Sequence, residues 1–164
     1  MDEVSYEKWT RGLREHPDRL RALVLFNKAA KWTCYVLYPL LLLLVGLQDP
    51  WNLVPYILVP GIGFAAVSAF RYLYNAPRPY ESLDIDPLVK KSTVGKSFPS
   101  RHIFSIFLIA MCWLSFCLPV GIVLLAAGVE MAWSRVMFGV HFPKDVVCGA
   151  LIGTAVGCIL FFFI

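Results

Sequence analysis

The sequence predicts an all-α integral membrane bundle of about five spanning helices, preceded by an amphipathic surface helix. Three observations carry this. The 164 residues are 59% hydrophobic and only 16% charged, where a soluble domain has about 25% charged residues. The apolar residues gather in runs close to the roughly 20 residues that cross a bilayer. The charged residues collect between those runs and ahead of the first. A single domain accounts for this length. The opening MDEVSYEKW is acidic and lacks a short apolar core with a small-residue cleavage site, so it does not read as a signal peptide. Insertion is expected through the spanning segments themselves.

Residues 1–28 are polar and mixed in charge, with Val4, Trp9, Leu13, Leu20 and Val24 at roughly helical spacing and a break at His16-Pro17. This segment predicts one or two amphipathic helices on the membrane surface, its basic residues facing anionic lipid. The rest, 29–164, is expected to be the membrane-embedded domain. Its first span is placed at 29–47, with Lys28, Lys31 and Trp32 as interfacial anchors. A short turn at 48–52 leads to the second span, 53–74, which Pro55, Pro60, Gly61 and Gly63 can kink. A polar loop over 75–99 follows. The third, fourth and fifth spans are placed at 100–118, 120–138 and 143–161, with Pro143 suited to a first helical turn. Gly149, Gly153 and Gly157 recur every four residues on the fifth span, a groove for close helix approach within the bundle or in a homodimer. The five cysteines lie in apolar runs without metal-ligand spacing. No metal, disulfide, cofactor or nucleic-acid partner is expected.

An antiparallel five-span bundle brings four ends to one membrane face. They carry Arg71 and Arg78, then Ser100, Arg101 and His102, then Ser134 and Arg135, then His141, Lys144 and Asp145. All 15 Lys and Arg residues fall on that face, together with the N-terminus. By the positive-inside rule it is expected to be cytoplasmic.

The residue types at this face suit phosphate chemistry. Guanidinium groups match phosphate oxygens with paired donors, which Arg71, Arg78 and Arg135 can supply. Ser100 stands at an N-cap position, where free backbone N–H groups bind anions. His102, in the following turn, can protonate a leaving oxygen. Asp145, four residues after His141, can fix its tautomer and leave one ring nitrogen as a nucleophile. No acidic cluster suited to magnesium occurs at the four ends, so a route through phosphohistidine without metal fits the residues. Rival readings are a phospholipid-binding protein without turnover, an anion transporter, and a haem or metal site on His102 and His141. The first would be expected to lose a histidine or Asp145, the second leaves the His141/Asp145 spacing unexplained, and the third sets a cation among arginines.

Arg71-x6-Arg78-Pro79, then Pro99-Ser100-Arg101-His102, then Ser134-Arg135-x5-His141-x3-Asp145 together resemble the three-part signature of the type 2 phosphatidic acid phosphatase family, which is related to the vanadium haloperoxidases. The resemblance covers about residues 65 to 150. It implies an integral-membrane lipid phosphatase acting on a phosphomonoester or diphosphate, such as phosphatidic acid, phosphatidylglycerol phosphate or a polyprenyl diphosphate. It implies His141 as nucleophile, Asp145 as its orienting partner, and His102 as the acid that later activates water. Arg71, Arg78, Ser100 and Arg135 would bind phosphate, with Ser134 beside Arg135 at the end of the fourth span as a further phosphate binder. The sequence departs from the family pattern at Arg71, where lysine is usual, and at Arg101, where glycine is usual. Arg101 keeps the backbone N–H, and its side chain either adds a cation for a diphosphate or headgroup or points to water. The family often has six spans, and residues 1–28 stand in for the missing one. The loop over 80–96 reads equally as a binding loop or a solvated connector. Glu130, one turn before Ser134, is expected to contact a site arginine or histidine.

Overall fold

The computed structural model describes residues 1–163, and the described residues form helices without a strand. Helix α1 (Glu3–Glu15) starts at Asp2, whose Oδ1 accepts from the Ser5 amide at 2.7 Å. Tyr6 and Thr10, four residues apart, form its buried face. The chain breaks at His16, and Pro17 opens α2 (Pro17–Gln48). Proline suits this position because its fixed φ is helical and its missing N–H would have had no partner.

Helix α2 is longer than the sequence suggests. Its 32 residues reach about 48 Å, and residues 17–28, expected to lie in the surface segment, are its first turns. The reason is tertiary. Leu23 packs against Phe138 and Val140, and the Asn27 amide donates to the Ser134 hydroxyl. The separate N-terminal helix therefore ends at Glu15, and α1 tucks against the bundle through a Tyr6 hydroxyl that donates to the Met137 carbonyl at 3.0 Å.

A 3-10 turn at Pro50–Asn52 leads into α3 (Leu53–Tyr74), which ends at Asn75 in the left-handed region. The short α4 (Pro79–Ser82) sits inside the long loop. Helices α5 (Arg101–Phe116), α6 (Leu118–Met137) and α7 (Pro143–Cys158) complete the bundle. Among the described residues, four apolar stretches are long enough to cross a membrane: Pro17–Gln48, Pro50–Ser82, Leu118–Met137 and Pro143–Phe162. Helix α5 has only 16 residues, about 24 Å. It runs through the centre, touched by α2, α3, α6 and α7, and Ile103, Phe104, Ile106, Ala110 and Cys112 are buried there. A helix enclosed by protein need not match the bilayer by its own length.

The glycine stripe explains how α5 and α7 pack. A Cβ on Gly149 would stand 2.7 Å from the Ser100 carbonyl oxygen, one on Gly153 2.5 Å from the Phe104 carbonyl oxygen, and one on Gly157 would run into the Met111 Cβ. All three face α5 of the same chain. Of the two uses expected of this stripe, close approach within the bundle is the one observed, with α5 filling the groove.

Candidate active site

Four helix ends converge beneath the long loop. Helix α6 closes at Phe138, and Gly139 turns the chain with φ of 71°, a conformation L side chains rarely adopt. The turn delivers His141 into the interior, 2% exposed. Four residues on, Asp145 lies in the first turn of α7. Its Oδ2 accepts from the Phe142 amide at 3.0 Å and sits 3.4 Å from His141 Nδ1. The backbone amide of Ser100 donates to the Asp145 carbonyl at 2.8 Å, locking the start of α5 to the start of α7.

Ser97 completes this group, and the sequence assigned it no role. Its hydroxyl donates to Asp145 Oδ2 and lies 3.3 Å from His141 Nδ1. A hydroxyl has one proton, and here the carboxylate takes it. Nδ1 faces only acceptors and must carry the ring proton, which leaves the Nε2 lone pair free. Burial, outweighing the hydrogen bond to Asp145, pushes the imidazole down to about 4, with Arg78 and Arg135 adding to the effect. At neutral pH His141 is an uncharged nucleophile. A serine two residues before a proline carries no local signal; only the fold brings it to a histidine 44 positions later.

The three arginines differ in what they hold. Arg71 donates through Nη1 to the Ser97 and Pro99 carbonyls and through Nη2 to the Lys96 carbonyl. It clamps the segment that carries Ser97 and Ser100, with two of its five N–H donors remaining. Arg78 donates to the Gly95 carbonyl at 3.0 Å and the Val140 carbonyl at 3.2 Å. Arg135 is buried, and its Nε has no partner among the described residues; the buried Ser100 hydroxyl has none either. Orphaned donors in a closed site cost free energy unless an anion fills it. The first turn of α5 adds its free N–H groups.

His102 lies in that turn, half-buried, with Arg135, Lys91, His141 and Arg101 as the ionisable groups around its ring. It also lines a cavity of about 460 Å³ between α2, α3, α5 and α6. The walls are apolar, including Tyr38, Phe64, Ile106 and Ile109, and the polar end carries Lys31, Arg101 and His102. Tyr35 and Phe64 are exposed at its flank, so the cavity opens sideways toward the bilayer.

The long loop is pinned across the site rather than free in solvent. Asp84 N donates to Glu3 Oε1, Arg14 pairs with Asp86 at 3.0 Å, and Leu88 N donates to the Tyr6 hydroxyl. Val89 packs on Phe138 and Val140, and Tyr80 donates to the Thr93 carbonyl. Lys91 lies between these last two anchors. Desolvation of its ammonium, then Arg135, Arg78 and Lys31, push it down to about 8.

Two expectations are revised. Ser134 is buried, accepts from Asn27 and donates to the Met131 carbonyl at 2.8 Å, so it ties α6 to α2. Glu130 is exposed and forms no ion pair with a site arginine or histidine. Among the described residues, no three His, Cys, Asp or Glu side chains gather into a metal-binding group.

A family model described as the PAP2 superfamily matches residues 52–164. The undecaprenyl-diphosphatase BcrC of Bacillus subtilis (strain 168) is 26% identical over 163 residues, 98% of this chain and 84% of that protein. The putative undecaprenyl-diphosphatase YbjG of Escherichia coli (strain K12) is 44% identical over 66 residues, 38% of this chain and 32% of that protein. The crystal structure of Aquifex aeolicus LpxE superposes with a TM-score of 0.74 at 28% identity, covering 97% of this chain and 93% of that one. A PAP2-type phosphatidylglycerolphosphate phosphatase from Bacillus subtilis shares the fold, with a TM-score of 0.50 at 20% identity over 98% of this chain and 92% of that one.

Proposed function

Because the chain belongs to the PAP2 superfamily, we propose that its buried His141–Asp145–Ser97 group is the nucleophilic centre of an integral-membrane lipid phosphatase. The observation that carries this reading is the pairing of a neutral, tautomer-fixed histidine with orphaned donors on Arg135 and Ser100. His141 Nε2 attacks the phosphorus, and the bond from phosphorus to the leaving oxygen breaks. His102 gives that oxygen its proton. Arg135, Arg78, the Ser100 hydroxyl and the α5 N-terminus hold the equatorial oxygens as charge builds there. Water then attacks the phosphohistidine, giving one proton to His102 and releasing inorganic phosphate. The lipid tail lies in the apolar cavity beside His102. Arg71 acts mainly by holding the 96–99 segment in place.

Purified protein in detergent is expected to release phosphate from lipid phosphates in the presence of EDTA. Vanadate should inhibit, because its trigonal-bipyramidal geometry resembles the transferring phosphoryl group. Loss of activity in EDTA, or insensitivity to vanadate, would refute the phosphohistidine route.

Lys91 is an exposed cation on the loop over the site, and desolvation, helped by Arg135 and Arg78, pushes its ammonium down to about 8. Its charge is complete below about pH 8 and lost above it, so kcat/KM, which reports the free enzyme, should fall as pH rises through that value. Lys91→Arg keeps the charge and should flatten this limb. An unchanged alkaline limb in Lys91→Arg would place the titration elsewhere.

The chain is a multi-pass membrane protein. The concentration of Lys and Arg on the site face favours a cytoplasmic orientation. A cysteine at the exposed Ser92, in a background cleared of the native thiols, should be shielded from a membrane-impermeant maleimide in intact cells. Labelling from outside would assign the site to the other surface.

A further inference from the structure

The cavity beside His102 holds two cations that hydrolysis of a simple phosphate ester does not need. Lys31 and Arg101 line it together with His102, on the leaving-group side of the site, away from the His141 pocket. Neither joins any ion pair among the described residues. Lys31 is half-buried in α2, its ammonium 5.6 Å from the centroid of the exposed Trp32 ring, and it lines the cavity mouth without a carboxylate partner. Arg101 is held at the cavity wall with its guanidinium over the Phe64 ring, 5.4 Å from the centroid.

The leaving group decides what such charges are for. When a lipid phosphomonoester is cleaved, the departing group is an alkoxide, and one proton from His102 neutralises it. When a lipid diphosphate is cleaved, the departing group is a lipid phosphate. Its bridging oxygen takes the proton, and its other oxygens keep their negative charge. Two cations beside the proton donor match the second case.

We infer that Lys31 and Arg101 form a cradle for the tail-side phosphate of a lipid diphosphate, making the enzyme selective for diphosphates. This rests on the phosphatase reading above and names its substrate class. The balanced reaction is lipid diphosphate plus water giving lipid monophosphate plus inorganic phosphate. The bond broken joins the terminal phosphorus to the bridging oxygen.

The test compares farnesyl diphosphate with farnesyl monophosphate, which share a tail and differ by one phosphate. Wild-type protein should favour the diphosphate in kcat/KM by about tenfold or more, the size of a charge-assisted contact. Lys31→Met and Arg101→Gln should each cut that ratio about tenfold, and Lys31→Arg should restore most of it. Thermal unfolding in detergent checks that each variant is folded, and Arg101→Gln carries the test if Lys31→Met is not. Ratios unchanged in folded variants would overturn the cradle, as would a wild type favouring the monophosphate or preferring phosphatidylglycerol phosphate to farnesyl diphosphate. Failure of the wild type to release phosphate from any of these lipids would instead overturn the phosphatase reading.

Discussion

Replacing His141 with alanine is expected to lower kcat for phosphate release by about 10⁴-fold or more, the scale of losing a nucleophile. No other group is placed to take over. His102 faces the leaving-group cavity, and the Ser97 hydroxyl gives its proton to Asp145. The bundle should survive, and acid stability provides an independent check. Burial holds the His141 imidazole at about 4 in the fold, below its ordinary value of 6.5. Between those values the unfolded chain binds a proton that the fold refuses. The fold therefore keeps this contribution above pH 6.5 and loses it as pH falls toward 4. The loss is about 2 kcal/mol at pH 5. His141→Ala removes that penalty, so its melting temperature should drop less than the wild type's between pH 7 and pH 5. A variant that retains turnover would sink the nucleophile assignment, and one equally acid-sensitive would show that His141 is not buried as a neutral ring.

The second large effect is structural. Gly153→Val should destabilise the protein by about 3 kcal/mol or more, above the usual range for overpacking. The obstacle is backbone: the Phe104 carbonyl oxygen stands 2.5 Å from the Cβ position, and the Leu108 amide nitrogen 3.2 Å. Rotamer changes cannot relieve such contacts, so α7 must move away from α5. That movement would also pull Asp145 from the Ser100 amide, so activity should fall with stability. Gly61→Ala is the control, because nothing lies within 4 Å of its Cβ position. Detergent melting curves for the two variants decide the matter. Equal stability would mean that the stripe is not a packing surface.

Much of this was legible in the sequence. Runs of apolar residues located the spans, and a parity argument on their number brought Arg78, His102, Arg135 and His141 to one face. Residues that depend on long-range partners were not legible. That Lys31 lines the same cavity as His102 could not be read, because the two are remote in the chain. The carbonyls that Arg71 holds could not be read, because they belong to a loop without regular structure. Residues 17–28 read as a surface segment because Arg19, Arg21 and Lys28 dominate the local pattern, while buried Leu23 and Asn27 decide the helix. Glycines spaced four apart announce a close helix contact but not which helix makes it.

The sideways opening of the cavity at Tyr35 and Phe64 has a kinetic consequence. Substrate that enters there arrives by diffusion in two dimensions, from the lipid ring around the protein. The enzyme therefore senses the mole fraction of lipid phosphate in its membrane or micelle. Adding inert detergent at constant substrate slows such an enzyme by surface dilution, and enriching the substrate within the bilayer speeds it without any change in bulk concentration.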